Sequence, residues 1–149
     1  MKYSRCHRRG MTLVEIMVST CVFLMAVVGI LYSFVKCIEL NEIGRESTIA
    51  VVGVKNKLEE IKSVNISSIF TTYDNTTFTI TGLNGKGVIY VDNSNSRLLE
   101  VKVVFCWRLM GGRIVGEDTN LNGVLDTGED KNGNGQIDSN VQIVTRIYG

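Results

Sequence analysis

The sequence predicts an α+β protein: a long N-terminal helix, apolar in its first half and amphipathic in its second, packed on a small antiparallel β-sheet head. Three observations predict it. Twenty consecutive residues, Ile16–Val35, carry no charge. From Leu40 to Ile61, small and apolar residues (Leu40, Ile43, Ser47, Ala50, Val54, Leu58, Ile61) recur at spacings of three and four, the period of one helical face. Beyond Thr76 the period falls to two, as in half-buried strands.

The helix begins behind a short basic leader, residues 1–10, with Lys2, Arg5, Arg8 and Arg9 and no acidic residue. At about 1.5 Å per residue, the uncharged run covers roughly 30 Å, the hydrocarbon thickness of a bilayer. Residues 11–35 are therefore the expected membrane-spanning half, with the basic end in the cytoplasm and the head outside. A secretory signal fits poorly, since the apolar run is too long and lacks a small-x-small cleavage site. An uncleaved signal anchor has the same basic flank and the same span. Glu15 separates the readings: a carboxylate inside an apolar span costs a few kcal/mol and marks a functional site. Only about 6 Å beyond Met11, it lies near enough to the interface to insert.

The stretch Gly10-Met11-Thr12-Leu13-Val14-Glu15 resembles the class III signal of type IV prepilins and pseudopilins. That signal is a basic leader ending in glycine, then a hydrophobic residue, Thr-Leu-Val, and glutamate at the fifth position after the glycine. Met11 stands where an aromatic residue is usual. The resemblance implies that a prepilin peptidase cuts between Gly10 and Met11 and N-methylates Met11, a modification that keeps the positive charge. It further implies that Glu15 pairs with the N-terminal amine of a neighbouring subunit, because an unpaired charge in a helical filament core is prohibitive. The implied partners are the peptidase, other pilin or pseudopilin subunits, inner-membrane assembly machinery and membrane lipid. The implied location is the inner membrane as a single-pass protein, then a pilus or type II secretion-like pseudopilus.

Without the leader, 12 basic side chains face 15 acidic ones, so no basic footprint for nucleic acid remains. His7, the only histidine, lies in the leader, and no nucleophile has a plausible base, so no enzyme is expected. Cys6 leaves with the leader, Cys21 and Cys37 lie along the helix, and Cys106 reads as a buried strand residue, so no disulfide staple is expected.

Residues 36–64 form the amphipathic half of the helix, with Glu39, Glu42, Arg45, Glu46, Lys55, Glu59 and Lys62 on its other faces. Lys57-Leu58-Glu59-Glu60 resembles the charged stretch that ends the long helix of many minor pilins. The head spans 65–149. A Ser/Thr/Asn-rich connection over 65–77 leads to strands at Thr76–Thr81, Val88–Val91, Leu98–Trp107 and Val141–Tyr148, with turns expected at Asn84–Gly87 and Asp92–Ser96. The sum is a four-stranded antiparallel meander on the helix stripe. It resembles the head of minor pilins and minor pseudopilins.

The loop 118–138 is chemically the most distinctive. Asp118, Asn120, Asn122, Asp126 and Glu129 occupy positions 1, 3, 5, 9 and 12 of a calcium loop, with Gly123 at position 6 and the backbone carbonyl of Val124 at position 7. Twelve residues on, Asp130, Asn132, Asn134, the Gln136 carbonyl and Asp138 repeat the pattern as a possible second metal site. Val141 takes the place of the twelfth-position carboxylate, leaving that copy incomplete. Calcium takes six to eight hard oxygen ligands, and alternate residues of a tight loop can turn inward to provide them. Strand-like sequence flanks the loop, which therefore resembles the calcium loops of dockerins, thrombospondin repeats and calcium-binding pseudopilins more than a helix-loop-helix sensor. Asn and Gly also dominate ordinary turns. Yet six acidic residues from Glu117 to Asp138 against one lysine repel one another without a cation. The expected function is a structural filament subunit, most like a minor pilin or pseudopilin, with calcium in its head. The alternative is an uncleaved, membrane-anchored calcium-binding module.

Overall fold

The computed structural model describes residues 11–95 and 98–148. The leader, including Gly10 of the expected cleavage junction, and Ser96 of the expected second turn lie outside the described residues. The described residues up to Asn41 belong to one compact unit and those from Glu42 to another. Helix α1 (Leu13–Lys62) contributes to both.

In the first unit nearly every large apolar side chain from Leu13 to Leu40 is exposed. A helix that is apolar all round has no polar face to offer water. Among the described residues, α1 is the one helix long and apolar enough to cross a membrane, by length and composition.

The second unit is built where α1 becomes amphipathic. Ala50, Val54, Leu58 and Ile61 enter a core with Ile89, Val91, Leu99, Val101, Val103, Phe105 and Trp107. The start of the expected stripe is corrected in two places: Leu40 is 68 % exposed, and Glu46, expected on another face, is buried with Oε2 lacking a partner among the described residues. The cause is phase. Counting back from Ala50 by one turn reaches Glu46, whereas Ser47 falls beside the stripe and is half-buried.

The connection after α1 holds a second helix, α2 (Ile66–Tyr73), where an irregular segment was expected. Asn65 caps it, its side chain accepting the Ser67 amide at 3.1 Å. Ile66, Ile69 and Tyr73 recur at helical spacing and pack on the core.

Five strands follow: β1 (Thr76–Phe78), β2 (Gly85–Asn95), β3 (Leu98–Arg108), β4 (Ile114–Val115) and β5 (Val141–Tyr148). All pairings are antiparallel, in the order β1-β2-β3-β4, with β5 also paired to β3. The four-stranded meander therefore gains a two-residue strand, and β3 is central, meeting β5 over Leu98–Phe105 and β4 over Trp107–Arg108. Gly85, Lys86 and Gly87 lie in β2 instead of a turn. These glycines serve close approach: a Cβ at Gly85 would lie 2.4 Å from the Cys106 carbonyl oxygen. Residues Asp92–Asn95 also belong to β2, across a register shift, with Asp92 accepting the Ser94 amide at 2.8 Å.

The sheet is covered on both faces. The face away from α1 carries a second cluster, Val88, Val104, Cys106 and Ile137, packed by Tyr90, Leu121 and Leu125. Ile137, Leu121 and Leu125 all come from the long loop between β4 and β5. The acidic loop is thus a lid on the sheet, which explains the unbroken burial of Val103–Trp107 in β3.

Candidate metal centre and helix start

Loop position in the head is set by its apolar residues, and the polar ones between them are left to meet one another. In the first copy Asn120 Nδ2 and Asn122 Nδ2 both donate to Asp126 Oδ2, at 2.7 and 2.8 Å. Asp118 is fully buried and accepts the Asn122 and Gly123 amides at 3.2 and 2.7 Å. Asn120 Oδ1 accepts the same Asn122 amide at 2.9 Å. Positions 1, 3, 5 and 9 therefore draw together. Gly123, at position 6, has φ +79°, a conformation in which other residues are strained.

Glu129 is placed differently from the rest. Its carboxylate accepts the Thr119 hydroxyl and amide at 2.5 and 2.8 Å and the Asp126 amide at 3.1 Å, bracing the loop edge. The Thr119 hydroxyl is the main cause holding the Glu129 pKa below the ordinary carboxylate value, against its burial. The Val124 side chain is exposed, and its amide donates to Asn122 Oδ1 at 2.6 Å.

The second copy repeats the arrangement. Asn132 and Asn134 each donate to Asp138 Oδ2 at 2.6 Å, and Asp130 accepts the Gly133, Asn134 and Gly135 amides at 2.7, 3.1 and 2.9 Å. Gln136 turns its side chain to Lys102 at 3.1 Å. Lys102 also pairs with Asp138 Oδ1 at 2.5 Å. Burial pushes the Asp138 pKa up, but the bonds from Lys102, Asn132 and Asn134 together outweigh it and lower the value.

The residues fit a hard cation in composition. Every side chain at positions 1, 3, 5, 9 and 12 of the first copy carries an oxygen acceptor, as calcium requires. Among the described residues no Lys or Arg forms an ion pair with Asp118, Asp126 or Glu129. A buried carboxylate held by neutral donors alone is costly, and a bound cation offsets that cost. Among the described residues no three His, Cys, Asp or Glu form a metal-holding group without the amides, so ligation here would depend on Asn120 and Asn122 turning their oxygens inward. Sequence reasoning missed Lys102 and Glu117. Both touch the second copy from outside it; Lys102 has no sequence signal, whereas Gly116-Glu117-Asp118 recurs twelve residues on as Gly128-Glu129-Asp130, which could have found Glu117.

At the other end of the chain, Thr12 starts α1. Its carbonyl accepts the Glu15 and Ile16 amides at 3.1 and 3.2 Å, and its hydroxyl accepts the Glu15 amide at 3.3 Å. Thr12-Leu13-Val14-Glu15 is thereby a helix N-terminus of the Thr-x-x-Glu kind, with the carboxylate in the first turn where the helix dipole favours it. Met11 is exposed.

The architecture, a long apolar helix leading into an antiparallel sheet head, resembles that of pilins. No protein-family model, no curated protein and no solved structure matches the chain.

Proposed function

We propose that this chain is a structural subunit of a type IV pilus or a type II secretion-like pseudopilus, of the minor-subunit kind. Prepilin peptidase removes the leader after Gly10 and methylates Met11. The helix holds the subunit in the inner membrane, with the head outside, until assembly machinery adds it to a filament of like subunits. The observation that supports this reading best is α1 itself. One helix of 50 residues exposes apolar side chains on all faces at its start, with Glu15 its only acidic residue there, and buries a stripe in the head at its end. An all-apolar helix needs a lipid or protein environment, and in a bundle of such helices Glu15 needs a cation, which the Met11 amine provides.

Calcium belongs to the same reading. Asp118, Asn120, Asn122, Asp126, Glu129 and the Val124 carbonyl are the proposed ligands, and the ion's contribution is to neutralise the lid and hold it on the sheet. The role is structural, with no catalytic step.

The second reading, an uncleaved membrane-anchored calcium-binding module, is favoured by the Thr12 cap, which gives Thr-x-x-Glu a purely local use. Mass analysis of the N-terminus of membrane-extracted protein separates the two. A chain beginning at methylated Met11 supports the filament subunit, and a chain that retains Gly10 supports the anchor.

A further inference from the structure

Glu117 stands one residue before the first copy of the loop and is buried, yet its bonds go to the second. Its Oε1 accepts the Lys131 amide at 3.3 Å, its Oε2 accepts the Asp138 amide at 3.1 Å, and its own amide donates to the Asp138 carbonyl at 2.8 Å. Counted from Asp130, Lys131 and Asp138 are positions 2 and 9. Glu129 makes the same three bonds to the first copy. It accepts the Thr119 amide at 2.8 Å and the Asp126 amide at 3.1 Å, and donates to the Asp126 carbonyl at 3.1 Å. Counted from Asp118, Thr119 and Asp126 are again positions 2 and 9.

The two glutamates are equivalent in space and stand one repeat apart in sequence, in Gly116-Glu117-Asp118 and Gly128-Glu129-Asp130. Glu129 is the twelfth residue of the copy it braces. Glu117 precedes its copy by thirteen residues and occupies the place that Val141 leaves vacant in the repeat. We propose that Glu117 is the closing carboxylate of the second copy, so that the two copies are locked crosswise: each closing glutamate immediately precedes the first aspartate of the other copy. Glu117 acts as a positioning residue. By holding the Asp138 backbone at both its amide and its carbonyl, it keeps that carboxylate where Asn132 and Asn134 meet one oxygen and Lys102 the other. A carboxylate bridging two backbone amides is a strong, charge-assisted tie.

The test is amide hydrogen exchange on the full chain in detergent micelles, first in chelator. Glu117→Gln keeps the size of the side chain and loses one carboxylate oxygen. It should speed exchange at Lys131 and Asp138 by about tenfold or more, with Thr119 and Asp126 little changed. Glu129→Gln should do the reverse. Unchanged protection of Lys131 and Asp138 in Glu117→Gln would overturn the proposal. If Glu117→Gln also strips protection from β3, the whole head has opened and Glu129→Gln decides. Exposure of Thr119 and Asp126 alone supports crosswise closure, and uniform exposure of all four amides sinks it. A second arm, which alone rests on the calcium reading, repeats the measurement with calcium. Calcium should then slow exchange in both copies of the wild type but only in the first copy of Glu117→Gln. A wild type indifferent to calcium would fail the calcium reading and leave the result in chelator to judge Glu117.

Discussion

The ring of Phe78 on β1 lies against the α-carbon of Gly87 on β2, its register partner, so closely that a methyl group there would stand 2.3 Å from ring atoms Cε1 and Cζ. Gly87→Ala should therefore destabilise the head by about 1–3 kcal/mol, the usual cost of overpacking. In a Phe78→Ala background the clash is gone, and the same substitution should be neutral or mildly stabilising, since Ala loses less backbone entropy than Gly. Thermal melting of the four proteins of this cycle measures the coupling. Equal effects of Gly87→Ala in both backgrounds would mean that the glycine is kept for some other reason.

That contact also marks where the sequence stops being legible. The apolar helix could be read because an uncharged run of that length has few uses, and the head strands because alternation survives in Leu99, Val101, Val103, Phe105 and Trp107. Gly85 and Gly87 look like turn residues until Cys106 and Phe78 are placed beside them. Composition hid α2, since its serines and threonines mask the spacing of Ile66, Ile69 and Tyr73. Glu46 reads as a surface residue by its charge, while its helical phase buries it. The calcium-loop pattern was visible because its residues are local, whereas Glu117 meets Lys131 and Asp138 from fourteen and twenty-one residues away. The signal that could have found it is the repeat itself, since Gly116-Glu117-Asp118 recurs twelve residues on as Gly128-Glu129-Asp130.

Cys106 gives a chemical reading of the lid. The thiol is 1 % exposed between Val104 and Ile137, and burial is the main cause pushing its pKa up, so thiolate is scarce at neutral pH. In a chain carrying Cys6→Ser, Cys21→Ser and Cys37→Ser, a maleimide reagent should modify Cys106 only as fast as the head opens. Any condition that tightens the lid should slow that rate about tenfold for each 1.4 kcal/mol gained. Labelling as rapid as that of a denatured chain would show that the lid does not cover the thiol.

Glu15 and Thr12 share the first turn of α1 but have separable roles. Thr12→Val removes the capping hydroxyl and should cost about 1 kcal/mol of helix start, leaving the carboxylate in place. Glu15→Val leaves the cap and removes the charge, so the subunit should insert and still be cleaved, yet fail to enter filaments beside wild-type subunits. The expected result is strong loss of assembly for Glu15→Val and mild loss for Thr12→Val, scored by sheared-filament immunoblot against membrane-bound protein. Equal incorporation of Glu15→Val would remove the carboxylate from the assembly contact.

Asp118 carries the sharpest consequence of the calcium reading, because its carboxylate is wholly buried, accepts only backbone amides and pairs with no cation among the described residues. An ion bound to the folded head alone, present at a hundred times its dissociation constant, adds about 2.7 kcal/mol. For a head of this size that raises the melting midpoint by on the order of ten degrees. Trp107, the sole tryptophan and fully buried, reports the transition by its fluorescence in the full chain held in detergent. Asp118→Asn removes the charge and keeps the shape. In chelator it should melt within about 1 kcal/mol of the wild type, because the lost acceptor strength is offset by relief of an uncompensated buried charge. With calcium the two should part, the wild type rising and Asp118→Asn staying where it was. Magnesium should not replace calcium, since it holds its water and demands a tighter octahedron than this loop presents. A wild-type midpoint that is the same in calcium and in chelator would leave the lid as a turn-rich cover on the sheet, with Asp118 bearing its burial on backbone amides alone.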